Sequence, residues 1–170
     1  VTVQRYSTGE NELADRLPQD LTADNLNELN YLAARLGEMS EAGREAFFAV
    51  IEAKKHRDSL SDIINIAQNL DAFDLQPAFS TEQYGEFHRD MARDEYADIM
   101  VRLERSSDLI NKDFSSYIVD MESSLDLAAY GRLQAEREGG AFTKYGYLTE
   151  VGVFEEIYRG PQDIPGEYCV

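Results

Sequence analysis

The 170-residue sequence predicts an α+β fold that is mainly α. We expect small helical bundles with a short N-terminal strand and a C-terminal β-hairpin, arranged as an elongated acidic body. Apolar residues recur at spacings of three and four through most of the chain, which is the period of an amphipathic helix. Alternating and β-branched residues occur near the two ends, where strands are predicted. A hydrophobic content of 43%, with ten Tyr and eight Phe, supports a packed core and argues against disorder.

The N-terminal part, residues 1–21, is predicted to be a strand over Val1–Ser7 followed by a polar loop. No other strand precedes it, so it pairs either with the C-terminal strands or with strands of a preceding domain. Because the chain begins with Val and has no signal-peptide pattern, we expect it to be a piece of a longer protein. Residues 1–21 would then be the remnant of a preceding domain.

Three helices are predicted in a central domain, residues 22–79, each behind a side chain that can cap its first turn. Thr22 precedes an apolar stripe that runs to Leu36, and Ser40 opens a second helix. Ser59–Asp62 has the pattern of a capping box before the third helix. The predicted inner faces are Leu26, Leu29, Leu32, Ala33 and Leu36; Ala46, Phe47, Val50 and Ile51; and Ile63, Ile64, Ile66, Ala67 and Leu70.

A short extended piece at 71–79 leads into a second helical domain, residues 80–158. The pattern Ser80–Gln83 predicts another capping box at the start of a helix. The predicted inner face of this helix consists of Tyr84, Phe87 and Met91. Around Ala92–Asp94 the apolar stripe shifts by one position, which indicates either a kink or two helices. We favour two helices.

A break is predicted at Asn111–Asp113, followed by a long helical stripe over Phe114–Ala129 that ends before two adjacent glycines. The segment Ala141–Tyr158 is rich in aromatic and β-branched residues. It predicts two short antiparallel strands with Gly152 in the turn region. Residues 159–170 contain two prolines and two glycines, so they are predicted to be an irregular tail.

The chain is strongly acidic, with 33 Asp and Glu against 16 Lys and Arg, a net charge of −17 and a pI near 4.4. Acids outnumber bases by ten to six in residues 1–56, by twelve to six in 57–112 and by eleven to four in 113–170. Such a charge disfavours direct binding to nucleic acid or to an anionic membrane. The remaining partners are cations, basic proteins or water, and solubility alone could also explain the charge.

The length of the apolar runs and the number of cysteines bear on membrane association and localisation. No apolar run approaches the length of a membrane span. The single cysteine, Cys169, cannot form an internal disulfide, which fits a reducing cytoplasm. We therefore expect a cytoplasmic protein.

One acidic row stands out because its members recur every four residues. The row consists of Glu82, Glu86, Asp90, Asp94 and Asp98. On a helix these carboxylates would lie about 6 Å apart along the axis, and their repulsion would oppose folding by a few tenths of a kcal/mol per pair. Arg89 and Arg93 would relieve part of that repulsion. The row is either an ordinary solvated helix face or a phosphate-like array. Since duplex DNA carries one charge per roughly 1.7 Å, two or three such rows would be needed to approach its charge density.

Catalytic and metal-binding patterns do not occur in the sequence. The two histidines, His56 and His88, stand without the spacing of zinc ligands. No Gly-x-Ser-x-Gly occurs, and the glycine pair at 139–140 lacks the lysine of a phosphate-binding loop. The tyrosines are too surrounded by acids to stack on nucleic acid bases. The sequence indicates no catalytic residue, no metal site and no cofactor. A divalent-cation-dependent enzyme with a carboxylate cluster is the weakest of the alternatives.

Four short motifs, in order along the chain, resemble the ArdA antirestriction family. They are Leu26–Ala33 with Glu45–Phe47; Ile64–Asp71; Asp126–Arg132; and Gly140–Thr143 with Val153–Tyr158. The resemblance covers roughly Ala23 to Tyr158, and the match to the family is weakest over Arg89–Ser124. Members of that family usually carry a small β-rich domain before this region, and Val1–Ser7 would be its last strand.

The resemblance implies an antirestriction protein of a mobile genetic element, such as a conjugative transposon. ArdA proteins are DNA mimics that occupy the DNA-binding groove of type I restriction–modification enzymes. They are not enzymes and are commonly homodimers. The helix from Phe114 to Tyr130 or the C-terminal hairpin would make the dimer contact.

We expect eight carboxylates to form the DNA-mimic surface: Glu82, Glu86, Asp90, Asp94, Asp98, Asp120, Glu122 and Asp126. The alternative is an acidic interaction module of a mobile-element protein, which would bind a basic partner without resembling DNA.

Overall fold

The structure is a computed structural model that describes residues 13–14, 16–53, 55–104, 116 and 119–169. Its helices are α1 (Leu26–Glu38), α2 (Glu41–Glu52), α3 (Leu60–Gln68), α4 (Thr81–Glu104) and α5 (Leu127–Glu138), and its strands are β1 (Phe73–Gln76), β2 (Ala141–Thr143) and β3 (Gly146–Glu150). The strands form one sheet in the order β1-β3-β2. The mainly helical α+β class is therefore confirmed. The predicted strand Val1–Ser7 and the predicted break Asn111–Asp113 lie outside the described residues.

The chain divides into two compact units. The first unit combines Val1–Asp74 with Glu150–Val170, and the second is Leu75–Thr149. The predicted domains were contiguous, with residues 80–158 in one domain and 159–170 as a tail. In the structure the chain leaves the second unit at the end of β3, so residues 150–158 and the tail belong with the three N-terminal helices.

The helices of the first unit begin at the predicted caps. Thr22 caps the 3-10 turn that leads into α1. Before α2, the Ser40 hydroxyl accepts a hydrogen bond of 3.1 Å from the backbone N–H of Gly43. Before α3, Ser59 and Asp62 form both halves of a capping box, at 3.1 and 2.8 Å. These three sites supply partners for backbone N–H groups that a helix leaves free.

The core of the first unit is centred on α2 and α3. Its buried side chains include Phe47, Phe48, Val50, Ile51, Leu60, Ile63, Ile64 and Ile66, together with Leu32 of α1. The predicted inner faces of α2 and α3 are thus mainly confirmed. On α1 the prediction was too broad, because Leu26 is 37% exposed and Ala33 is also exposed. The interior position on α1 that the apolar pattern missed is polar: Glu28 is 5% exposed.

In the second unit α4 and α5 cross at a pair of glycines. A Cβ atom on Gly85 would lie 2.8 Å from the carbonyl carbon of Leu127. One on Gly131 would lie 2.6 Å from the backbone nitrogen of Gly85. These distances are below van der Waals contact, so only glycine lets the two backbones approach this closely.

An aromatic cluster packs beside this crossing. Tyr84, Tyr147 and Ala78 are buried, and Phe87 and Phe142 pack against them. The Tyr84 hydroxyl donates a hydrogen bond to the Glu138 carboxylate, and the Tyr147 hydroxyl donates one of 3.2 Å to the Ala135 carbonyl. Met91, predicted to point inward with Tyr84 and Phe87, is instead 49% exposed.

Two helix predictions in the second unit were wrong. The segment 81–104 is one helix, because Ala92–Asp94 contains no Gly or Pro and a shifted stripe can wind around a continuous helix. The predicted helix over Phe114–Ala129 is interrupted. Residues 119–123 are helical, a turn follows at Ser124, and Asp126 caps α5 by accepting a hydrogen bond of 2.9 Å from the N–H of Ala129.

The C-terminal hairpin forms, but its turn lies earlier than predicted. Strands β2 and β3 are antiparallel, and the turn between Thr143 and Gly146 is closed by the Thr143 hydroxyl, 2.9 Å from the Gly146 carbonyl. Gly146 takes a φ of 137°, which favours glycine. Gly152 follows β3, where its N–H donates to the Ala72 carbonyl.

The tail contains two 3-10 turns, Pro161–Asp163 and Gly166–Tyr168, and lies otherwise outside helices and strands. Ile164 is 7% exposed, so this segment packs into the first unit. Within the ranges that the structure describes, none of the helices combines the length and the apolar character needed to cross a membrane.

Candidate acidic binding surface

The helix α4 presents the predicted acidic row to solvent. Glu82, Glu86, Asp90 and Asp94 are all exposed and follow one another at intervals of about one turn. From the first to the last the row extends about 18 Å along the helix axis. Asp98 continues the row in the same helix, but its side chain lies outside what the structure describes. Four of the five predicted members therefore share one exposed face.

The two arginines among these carboxylates do not bridge successive members of the row. Arg89 pairs with its neighbour Asp90 at 3.0 Å. Arg93 reaches away from the row and pairs with Glu122 at 2.6 Å. Within the described residues, Glu82, Glu86 and Asp94 form no ion pair of their own. Three carboxylates of the row are thus left available to an external cation.

The other three predicted carboxylates differ in their surroundings. Asp120 is exposed. Glu122 keeps only 18% of its side chain exposed, and the hydrogen bond from Arg93 lowers the pKa of its carboxyl group. Asp126 is exposed but uses one oxygen to cap α5. The carboxylates of Glu122 and Asp126 therefore have structural partners, which leaves Asp120 as the freest of the three.

Both histidines lie in structural contacts. His56 has a φ of 50° and stacks on Phe154 with ring centroids 3.8 Å apart, and its Nε2 is 3.4 Å from Glu150. His88 lies in the aromatic cluster, 3.5 Å from Glu138. No group of three or more His, Cys, Asp or Glu is placed to hold a metal ion in the part of the chain that the structure describes.

Sequence reasoning missed a buried polar network in the first unit. The side-chain amide of Asn65 bonds both the N–H and the carbonyl of Tyr158, at 2.7 and 2.8 Å. The amide of Asn69 does the same with Glu155, at 2.9 Å in both directions. The Tyr158 hydroxyl donates to Glu28 at 2.8 Å. A detectable signal was present, because Asn65 interrupts an otherwise apolar run on α3.

Three of the motifs that resemble ArdA meet in this network. Glu28 comes from Leu26–Ala33, Asn65 and Asn69 come from Ile64–Asp71, and Glu155 and Tyr158 come from Val153–Tyr158. These side chains hold the C-terminal segment on α3. These three motifs thus describe an internal scaffold of the first unit, whereas Asp126–Arg132 and Gly140–Thr143 lie in the second unit together with the predicted acidic surface.

Comparisons of this chain with protein-family models, with curated proteins and with solved structures find no match in any of the three. The geometry and charge of the chain are therefore the basis for the function proposed below, together with the motif resemblance.

Proposed function

We propose that this chain is an antirestriction protein, a DNA mimic that occupies the DNA-binding groove of type I restriction–modification enzymes. The observation that carries the proposal is the exposed acidic row of α4 in a chain with a net charge of −17. The four ordered motifs that resemble ArdA supply the identity of the target. Neither observation involves a catalytic group or a cofactor, so we propose a non-enzymatic inhibitor acting in the cytoplasm.

The mechanism is electrostatic competition. Carboxylates such as Glu82, Glu86 and Asp94 would take the place of phosphates against the Lys and Arg of the enzyme's groove. A row with one charge per about 6 Å has about a quarter of the linear charge density of duplex DNA. Further acidic rows must therefore contribute, which is consistent with the even spread of acids along the sequence.

A homodimer would extend the charged surface. A two-fold arrangement places the same patch on both subunits, so it doubles the number of rows without any new sequence. The candidate contacts are the region from Phe114 to Tyr130 and the C-terminal hairpin. The mimic and its dimer are both part of this proposal.

The second candidate is an acidic interaction module that binds a basic protein without imitating DNA. The ion pairs Arg89–Asp90 and Arg93–Glu122 favour it, because each neutralises a carboxylate of the predicted surface. A surface in which arginine side chains alternate with carboxylates is less like a phosphate backbone and more like an ordinary protein interface.

A competition titration separates the two candidates. The protein is added to a type I restriction–modification enzyme that holds labelled DNA, at low and at moderate salt. We expect stoichiometric displacement of DNA. We also expect that the affinity of the protein for the DNA-free enzyme, measured directly, falls steeply as salt rises, because the release of counterions into more concentrated salt is less favourable. An affinity for the enzyme that does not change with salt would contradict the electrostatic mechanism. Absence of displacement by the folded protein would favour the interaction module.

A further inference from the structure

The ion pair between Arg93 and Glu122 joins α4 to the short helical stretch 119–123, which precedes α5. The guanidinium of Arg93 donates two hydrogen bonds to Glu122, from Nη2 at 2.6 Å and from Nε at 3.3 Å. Among the residues that the structure describes, no other hydrogen bond or ion pair connects α4 with residues 119–124. We call the Arg93–Glu122 pair the clamp.

The clamp has the geometry of a directional contact. Each of the two donors of Arg93 reaches a different oxygen of the carboxylate, as in a fork-to-fork pair. The hydrogen bond from Arg93 lowers the pKa of the Glu122 carboxyl group, and the same hydrogen bond raises the pKa of the Arg93 guanidinium. Two parallel hydrogen bonds fix the orientation of the Glu122 side chain as well as its distance from α4.

The orientation of Glu122 determines where its helical neighbours point. Glu122 keeps only 18% of its side chain exposed, whereas the other four residues of 119–123 are all exposed. Successive residues of a helix are rotated by about 100°, so the side chains of Asp120 and Glu122 point about 200° apart. Because Glu122 is turned toward Arg93, the Asp120 carboxylate is turned to solvent.

We propose that Arg93 is a positioning residue of the acidic surface, which holds residues 119–123 on α4 so that Asp120 presents a carboxylate outside the row. The row alone has about a quarter of the charge density of duplex DNA, so the proposed mechanism requires carboxylates from other segments. The clamp thus gives a reason for a cation within an acidic surface. This role rests on the proposed function, since the position of Asp120 matters only where the surface meets a basic groove.

Net charge and positioning make opposite predictions for the Arg93→Gln variant. The variant is more negative by one charge, so net charge alone predicts tighter binding to the DNA-free type I enzyme. Positioning predicts binding that is about two- to fivefold weaker, because a carboxylate contact is lost. Arg93→Lys keeps the charge and one donor group, and it should recover part of the loss. Arg44→Gln is the matched control, since it removes an exposed arginine of α2 and should not weaken binding.

A double-variant cycle tests whether Asp120 is the residue that Arg93 positions. Asp120→Asn should weaken binding of the parent chain by a factor similar to that of Arg93→Gln. It should have little further effect when Arg93→Gln is already present, because the carboxylate is then no longer held in place. Isothermal titration at low salt measures the four affinities. The proposal is overturned if the two effects multiply independently, or if Arg93→Gln binds as tightly as the parent or more tightly.

Hydrogen–deuterium exchange of the full chain without the enzyme tests the clamp separately from the proposed function. Arg93→Gln should speed exchange at residues 119–124 several-fold, and Arg44→Gln should leave it unchanged. Unchanged exchange in Arg93→Gln would overturn the proposal, because the clamp would then not hold this stretch. Faster exchange in a chain whose parent does not bind the enzyme would show that the clamp exists and that the proposed function is wrong.

Discussion

At the scale of single residues, two asparagines attach the C-terminal segment to the helices of the first unit. A side-chain amide carries one donor edge and one acceptor edge, as a peptide group does. Asn65 and Asn69 therefore pair with the backbone of Tyr158 and Glu155 as a neighbouring strand would. Because Asn65 is only 2% exposed, water cannot readily replace it.

Replacing Asn65 by Ala should lower the free energy of unfolding by about 2–4 kcal/mol, since it leaves the N–H and the carbonyl of Tyr158 buried without partners. Urea unfolding followed by circular dichroism measures the change. Asn30→Ala is the control: Asn30 lies on α1, and its side chain makes no hydrogen bond within the described ranges. It should change stability by less than about 0.5 kcal/mol. Equal effects of the two variants would refute the role of Asn65.

Buried tyrosines should make the protein sensitive to alkaline pH. Burial, assisted by nearby Glu138, raises the pKa of Tyr147 to about 12. Burial likewise raises the pKa of Tyr84 and Tyr158, each of which also bonds a carboxylate. An unfolded tyrosine titrates near 10, so between about pH 10 and 12 the unfolded state releases protons that the folded state keeps.

The stability contributed by these hydroxyls is thus complete below about pH 10 and falls as pH rises toward about 12. Urea midpoints measured at about pH 9 and about pH 11 should show this loss, and the Tyr147→Phe variant should lose less. Absorbance at the tyrosinate band should report a group of tyrosines that ionise only on unfolding. A midpoint that does not change over this range would contradict the assignment.

At the scale of elements, the contact that organises the second unit is the crossing of α4 and α5. The close approach at Gly85 and Gly131 brings the helix backbones together and positions Tyr84 and Glu138 for their hydrogen bond. The same crossing fixes the direction in which the acidic row of α4 faces.

Gly85→Ala and Gly131→Ala should each destabilise the second unit by about 1–3 kcal/mol or more, because the added methyl group meets backbone that cannot move aside. Gly37→Ala on α1 is the matched control. Nothing lies within 4 Å of a Cβ built there, so the substitution should stabilise α1 by about 0.5–1 kcal/mol. Thermal unfolding of the three variants measures the contrast, and destabilisation by Gly37→Ala of similar size would contradict it.

At the scale of the whole molecule, the dominant property is the charge of −17. Ion pairs at exposed sites contribute only about 0–1 kcal/mol each, so a distributed acidic surface should tolerate the loss of any one carboxylate. The effect of several losses should depend on where they lie. This distinguishes a mimic surface from a general excess of negative charge.

The triple variant Glu82→Gln, Glu86→Gln and Asp94→Asn should weaken displacement of DNA by about tenfold or more and reduce its salt dependence. It should also stabilise α4 slightly, because like charges one turn apart repel. A control with Glu41, Glu45 and Glu156 changed to Gln removes the same charge from exposed sites in the first unit. If both triple variants lost the same amount of DNA displacement, only the net charge would matter. If reversing the charge of one carboxylate abolished displacement, that residue would be a hot spot.

Features that depend on neighbouring residues in the chain could be predicted from the sequence. Caps at Ser40 and Ser59, the apolar faces of α2 and α3, and the spacing of the acidic row arise from local hydrogen bonds and helical periodicity. Features that depend on residues far apart in the sequence could not be predicted and are known only from the fold. Asn65 meets Tyr158 across 93 positions and Arg93 meets Glu122 across 29, and periodicity carries no information on such pairs. The assignment of residues 150–170 to the first unit, the glycine crossing and the turn before Gly146 are set in the same way, by which backbones can approach and which buried polar groups find partners.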